Sequence, residues 1–351
     1  MSGERTRARG LALVLTVTVV ASTVFDVLGV PSAVMFGSLL GGIVHALTSS
    51  TDLRLPPSSF RLGQALIGVV VGSTISLDAL TAMGDDVVSI ALVTVGTILI
   101  SLAAGALLSL RSDVSRVTGA FAMIAGGASG VVAVARDLGA DDRVVTVVQY
   151  LRVLLVLVMM PVITAVVFHP HHAGRGLATA HTGLGRDLAY VAISLVLGMA
   201  LARLVPVTTS ILLAPLAVAA VLASSGWLGA VAVPAPLQWL GFALIGVQVG
   251  LRFTRASLAS ITRMLPVVLL LMVGMIVATA LMGSLLALLT PVDGLTAYLA
   301  TTPGGLFAVL ATAADAGSDT TFVMAVQLVR LLVILAFTPL LAKLLTRAPQ
   351  G

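Results

Sequence analysis

The chain has no cysteine among its 351 residues, which excludes disulfides and thiolate metal ligands and says nothing further about compartment. Charge is scarce as well. Charged residues make up 9% of the chain against 59% hydrophobic ones, and the mean hydropathy of +1.15 lies far above that of a soluble domain with a polar surface. No stretch between apolar runs is much longer than about twenty residues, too short for a soluble nucleic-acid-binding domain. No Gly-x-x-x-x-Gly-Lys-Ser/Thr element is present, so ATP coupling within this chain has no support. The net charge of +5 does not form a basic face, because the arginines stand singly between hydrophobic runs, as topology determinants do.

What the chain has is apolar segments. They run over 11–25, 31–47, 62–77, 87–110, 117–135 and 144–168, and again over 188–205, 208–222, 237–251, 264–289, 295–314 and 322–341. Each approaches the roughly 20 residues that a helix needs to cross a bilayer, although several are short. The reading is an all-α polytopic membrane protein, with the lipid bilayer as its first partner. Arg5, Arg7 and Arg9 precede the first run without a small-x-small cleavage site, so a retained first helix with a cytoplasmic N-terminus is expected.

The segments are two copies of one module. Residues 63–161 reappear as 241–339, 178 positions later, without insertion or deletion. Between 126–161 and 304–339, 15 of 36 positions are identical, among them the non-aliphatic pairs Gly126/Gly304, Gly127/Gly305, Asp137/Asp315, Gly139/Gly317, Asp141/Asp319, Gln149/Gln327, Arg152/Arg330 and Pro161/Pro339. A second block, Gly63-x-Ala65-Leu66-Ile67-Gly68-x-x-x-Gly72, matches Gly241-x-Ala243-Leu244-Ile245-Gly246-x-x-x-Gly250. Shared apolar composition does not produce such matches. A duplication of this size in a membrane protein points to a transporter built from two halves around a central site. The division expected is a first repeat over 1–168, a linker over 169–186 and a second repeat over 187–351.

Loop charges set the relative orientation of the halves. Residues 78–86 carry three aspartates and no cation, whereas their counterpart 252–263 carries three arginines and no acid. The next link reverses this: Arg111 and Arg116 flank Asp113 in one half, and only Asp293 stands in 290–294 of the other. Under the positive-inside rule equivalent loops then face opposite sides, and the repeats are inverted. Both termini are expected to be cytoplasmic, the C-terminus by Lys343 and Arg347, in a bacterial inner membrane. Inversion needs an odd number of crossings per half, so one of the six segments does not span. The fifth is the candidate, because Gly126-Gly127-Ala128-Ser129-Gly130 interrupts it in one half and Pro303-Gly304-Gly305 in the other. The expectation is about ten transmembrane helices plus two re-entrant or broken hairpins. A rival assignment makes the third segment re-entrant, and a third lets the fifth cross as a broken helix.

Backbone left unpaired at Gly126, Gly127, Ser129, Gly130 and at Pro303, Gly304, Gly305 is tolerated in a membrane only where protein or water covers it, and helix ends there suit an anion. These residues are candidate substrate contacts. So are Gln149 with Arg152, and Gln327 with Arg330, each pair three apart on one helical face. A guanidinium deep in an apolar segment costs about 2.5–3.5 kcal/mol on insertion scales, so it faces the bundle interior and needs a partner. Asp137, Asp141, Asp315 and Asp319 are candidates for a structural brace to those arginines or for ion coupling. Asp26, near Pro31, reads as a loop residue. His169, His171, His172 and His181 fall in the linker outside the repeat and read as solvated, so no metal and no cofactor is expected. The Gly68/Gly72 and Gly246/Gly250 pairs read as close helix contacts.

With Pro303-Gly304-Gly305, Gly317-x-Asp319 and Gln327-x-x-Arg330, and the matching set in the first half, the chain from about residue 28 to 341 resembles the AbrB family of bacterial membrane proteins. That family is defined by this duplicated module. Its members are often labelled ammonia monooxygenases or regulators of gene expression, and neither label describes demonstrated chemistry. The small soluble DNA-binding protein that shares the name is not what this chain resembles. An oxygenase would need metal ligands inside the apolar segments, so an enzyme is not expected. The layout resembles that of glutamate and citrate symporters, whose glycine-rich hairpins flank the substrate. The function expected is secondary transport of a small anionic or zwitterionic metabolite coupled to H⁺ or Na⁺, with a membrane-embedded sensor or regulator as the alternative. A homodimer is compatible with the sequence.

Overall fold

The computed structural model describes residues 2–49, 53–75, 84, 86–124, 135, 138–168, 183–204, 209–253, 255 and 262–347. Among them are thirteen α-helices, a π-helical turn at Thr164–Phe168 and no strand. The first half contributes α1 (Ser2–Val27), α2 (Ala33–Thr48), α3 (Pro57–Gly72), α4 (Val87–Leu108), α5 (Arg116–Met123) and α6 (Asp142–Ile163). The second contributes α7 (Leu184–Ala202), α8 (Ser210–Ser225), α9 (Ala235–Gly250), α10 (Leu265–Leu289), α11 (Gly294–Thr301), α12 (Leu306–Asp315) and α13 (Thr320–Arg347). Five stretches are long and apolar enough to cross a membrane: Arg9–Val27, Val87–Leu108, Arg143–Phe168, Leu184–Ala202 and Leu265–Leu289. Shorter apolar helices accompany them, and leucines and valines such as Leu15, Val88, Leu99, Val196, Leu270 and Leu288 are exposed along their outer faces. This is the surface of a membrane protein, in which lipid rather than water meets the outward residues.

The helix bounds refine the sequence expectations in three places. The third segment is one uninterrupted 16-residue helix with a proline in its first turn, Pro57, and its counterpart α9 has the same length and a first-turn proline of its own, Pro236. Asp26 lies in the last turn of α1 rather than in a loop, and its carbonyl accepts the amide of Gly29. Helix α7 starts at Leu184, ahead of the apolar run that begins at Leu188, with Gly183 (φ 150) before it and Asp187 in its first turn. The four linker histidines lie outside the described residues.

The chain forms two compact units, and each draws on both halves of the duplication. The first unit comprises Met1–Thr81, Leu157–Arg255 and Leu306–Thr321. Here each half lends its third helix to the second helix of the other. Gly68 and Gly72 of α3 lie against the carbonyls of Leu212 and Leu216 on α8, so closely that a methyl group at either would strike them. Gly246 and Gly250 of α9 do the same against Met35 and Leu39 of α2. Only the hydrogen side chain allows such backbone contact, which is how small-x-x-x-small pairs hold helices together where lipid removes the hydrophobic driving force. The equivalent helices α3 and α9 also touch, and they run antiparallel: a methyl at Gly63 would lie 3.0 Å from Leu244 Cβ, and one at Gly241 3.0 Å from Leu66 Cβ. Tyr190, fully buried, donates to the carbonyl of Ala219 at 3.0 Å and joins a core with Leu66, Val69, Val70, Val191 and Val233.

The second unit comprises Ala82–Val156, Ala256–Gly305 and Phe322–Gly351. Its two long equivalent helices, α4 and α10, also run antiparallel where they meet. Gly96 faces the Met282 side chain, while Ser101 Oγ lies 3.8 Å from Met275 Sδ. Each long helix packs on the short helix that follows it, Gly105 against Gly119 and Ala120 in one half and Gly283 against Ala297 and Tyr298 in the other. The core here includes Leu108, Phe121, Met123, Val145, Val148, Val268 and Met272. In the α4–α5 connection Arg111 and Asp113 form an exposed bidentate ion pair at 2.9 and 3.0 Å, and the guanidinium hydrogen bond holds the carboxyl below its ordinary pKa.

Candidate functional site

The site is built from two short helices that stop early. Helices α5 and α11 are eight residues each, about 12 Å at 1.5 Å per residue, well short of the hydrocarbon thickness. Both begin at a side-chain cap in the same repeat position. The Ser115 hydroxyl accepts the amide of Thr118 at 3.1 Å, and the Asp293 carboxylate accepts those of Leu295 and Thr296 at 3.1 and 3.3 Å. Both end in the same way, since Ile124 (φ −64, ψ 127) and Thr302 (φ −57, ψ 128) turn the backbone from helical to extended. In the second half Pro303 follows at once. The residue before a proline is driven out of the helical region, and proline lacks the amide that would continue the ladder. Gly304 and Gly305 complete the interruption before α12 begins at Leu306.

A helix that ends leaves its last carbonyls without amide donors, and in a membrane interior each one has to find another. Gln149 and Arg152 of α6 supply them. Gln149 Nε2 donates to the carbonyls of Phe121 and Ile124 at 2.8 and 2.9 Å. Arg152 Nη1 donates to those of Met123 and Ile124 at 3.1 and 2.8 Å, and its Nη2 donates to Gln149 Oε1 at 2.8 Å. Gln327 and Arg330 of α13 repeat every one of these bonds 178 residues on. Gln327 Nε2 reaches the carbonyls of Leu299 and Thr302 at 2.9 and 3.1 Å, and Arg330 Nη1 those of Thr301 and Thr302 at 3.3 and 3.0 Å. Arg330 Nη2 donates to Gln327 Oε1 at 2.5 Å. All four side chains are buried, Gln149 completely and Arg152 to 4% exposure. The negative end of each short helix meets a positive guanidinium, so the two clamps satisfy both hydrogen bonding and the helix dipole.

The clamps lie in one unit. A methyl at Gly305, three residues past the carbonyl that Arg330 holds, would lie 3.6 Å from Val153 Cγ1, and Val153 is the neighbour of Arg152. Arg152 Nε is buried and has no hydrogen-bond partner among the described residues.

The structure places the other expected residues as follows. Pro303 is buried, and Gly304 and Gly305 are half-buried at the interruption. Gly126, Gly127, Ser129, Gly130 and Asp137 lie outside the described residues. Asp141 is exposed and caps α6, accepting the amides of Arg143 and Val144 at 3.0 and 3.2 Å. Asp319 holds the equivalent position before α13. Asp315, at the end of α12 in the first unit, accepts the backbone amide of Ser32, which stands at the start of α2 with a left-handed φ of 55. The helix caps Ser115 and Asp293 were missed from sequence. Their equivalence at the repeat offset, with two residue types that both serve as caps, is the signal that would have found them.

Most of the chain matches known proteins. Residues 34–346 match the family described as "Transition state regulatory protein AbrB". The chain is 32% identical over 331 residues to "Putative regulator AbrB" of Escherichia coli K12, covering 91% of this chain and 92% of that one. It is 24% identical over 365 residues to "Uncharacterized protein YhjN" of Bacillus subtilis 168, with 94% and 92% covered.

Proposed function

The chain belongs to the AbrB family of helical membrane proteins, and from that premise we propose that it is a secondary carrier for a small anionic or zwitterionic metabolite, not an enzyme. The observation that carries the reading is the pair of interrupted helices whose open ends are held by identical buried Gln–Arg clamps within one unit. Interrupted helices are a feature of carriers that bind solute near the bilayer midplane, and unwound backbone there lines a cavity or meets protein. The antiparallel contacts of α3 with α9 and of α4 with α10 support inverted repeats, since equivalent helices related by a two-fold axis in the membrane plane run in opposite directions. Inverted repeats in turn support exchange between two mirror-related states, one open to each side. Coupling to H⁺ or Na⁺, a cytoplasmic-membrane location and cytoplasmic termini complete the proposal.

The test is uptake in proteoliposomes under an imposed proton or sodium gradient, with a panel of carboxylates, amino acids and phosphate esters. Gradient-dependent flux that Arg330→Lys lowers while folding is retained supports the carrier. A second reading, a membrane-embedded regulator that acts without moving solute, is favoured by the description of the E. coli relative as a regulator. Absence of flux across the whole panel would select it.

A further inference from the structure

We propose that Asp315, Ser32 and Thr312 form a binding site for Na⁺, built where the end of α12 meets the start of α2. The inference deepens the carrier reading by naming the coupling ion and its place, and for the purpose of that ion it rests on that reading.

Contact is the first argument. Asp315, the last residue of α12, accepts the backbone amide of Ser32 through Oδ2, and both belong to the first unit. Ser32 Oγ is carried by the same residue as that amide, and within a serine the hydroxyl oxygen stands about 3–4 Å from the nitrogen. Carboxylate and hydroxyl therefore share one small space. Thr312 lies three residues before Asp315 on α12, on the same helical face, with about 5–6 Å between their Cβ atoms.

The hydroxyls are the second. A serine or threonine just ahead of a helix ordinarily turns its oxygen onto the amides of the first turn. Ser32 stands there before α2 and makes no such bond, and Thr209 stands there before α8 and makes none either. The two helices are equivalent in their packing, since Met35 and Leu39 meet Gly246 and Gly250 while Leu212 and Leu216 meet Gly68 and Gly72. Capping residues that leave their own helices uncapped in both copies have another use for their oxygens. Ser32 is 2% exposed and Thr312 fully buried, and among the described residues neither hydroxyl has a hydrogen-bond partner. Ser32 is also the one described non-glycine residue with a positive φ. Such backbone persists only where its surroundings enforce it, and it collects at ligand clamps.

The donor set gives the class. A carboxylate and two hydroxyls are hard oxygen ligands that carry one negative charge between them, which suits a small hard cation of single charge. A proton on Asp315 would need neither hydroxyl.

The experiment is thermal unfolding of the purified full-length protein in NaCl, KCl or choline chloride at equal ionic strength. NaCl raises Tm by mass action, and the other two salts leave it unchanged. Asp315→Asn abolishes the sodium shift. Ser32→Gly removes one hydroxyl at a φ that glycine adopts freely, and Thr312→Val removes the other at nearly the same volume. Each raises the sodium concentration needed for half the shift about tenfold. Should Asp315→Asn not fold, these two variants carry the test. Equal shifts in the three salts, a shift specific to potassium, or a sodium shift that survives Asp315→Asn overturns the proposal. So do folded Ser32→Gly and Thr312→Val variants with the parent's sodium dependence. Sodium binding without flux would leave the site standing and remove the carrier, and proton-driven flux without a sodium response would do the reverse.

Discussion

An arginine in the middle of an apolar helix has to give its protons to something, and here it gives them to the ends of other helices. The depth of Arg152 and Arg330 and the glutamine three residues before each are legible in the sequence. The acceptors are not, because backbone carbonyls carry no side-chain signature and become available only where α5 and α11 stop. A pairing of Asp141 with Arg152 was an equally good reading of the sequence. Asp141 instead stands just ahead of the first amides of α6, where a carboxylate satisfies donors that the helix cannot. Gln149→Leu removes the donor to the Phe121 carbonyl and the acceptor of Arg152 Nη2, and Gln327→Leu does the same to Leu299 and Arg330, so each variant should lose about 1–3 kcal/mol per group left unpaired, as a lowered Tm. A double-mutant cycle for Gln327 and Arg330 should give a coupling of about 0.5–3 kcal/mol, whereas Gln149 and Gln327 should be additive within about 0.5 kcal/mol. Strong coupling of the two glutamines would contradict the account of two separate clamps.

At the scale of elements, glycine is what decides contact. Gly246 on α9 lies against the Met35 carbonyl and the Ser38 hydroxyl, while Gly274 on α10 has open space around it. Gly246→Leu should therefore destabilise by at least about 1–3 kcal/mol through overpacking, and Gly274→Leu should be neutral or mildly stabilising through helix propensity. Thermal unfolding of the two variants side by side checks this, and equal effects would contradict the packing. The loops between elements carry the orientation. The absence of native cysteine makes single-cysteine labelling direct. Thr81→Cys and Val292→Cys should react with a membrane-impermeant maleimide from outside, and Ser112→Cys and Ser257→Cys only after permeabilisation. Equivalent sites in the two halves reacting from the same side would rule out inversion.

At the scale of the whole molecule, the repeat in the sequence is not the unit of folding. Each compact unit combines helices from both halves, with α3 on α8 and α9 on α2 in one and α4 on α10 in the other. A half alone would leave its glycine-lined helix faces without partners. Residues 1–168 or 187–351 expressed singly should be protease-sensitive and lost from the membrane, whereas the two co-expressed should co-purify as a complex. A stable, monodisperse single half would contradict the interleaving.

The sequence by itself determined the duplication, the membrane setting and the depth of the two arginines, because identity at a fixed offset and hydropathy are properties of linear order. Tertiary structure decided which helix lies on which and where the guanidinium protons go. Those partners lie 25–29 residues away along the chain or in the opposite half, and they are chosen by backbone geometry rather than by residue type.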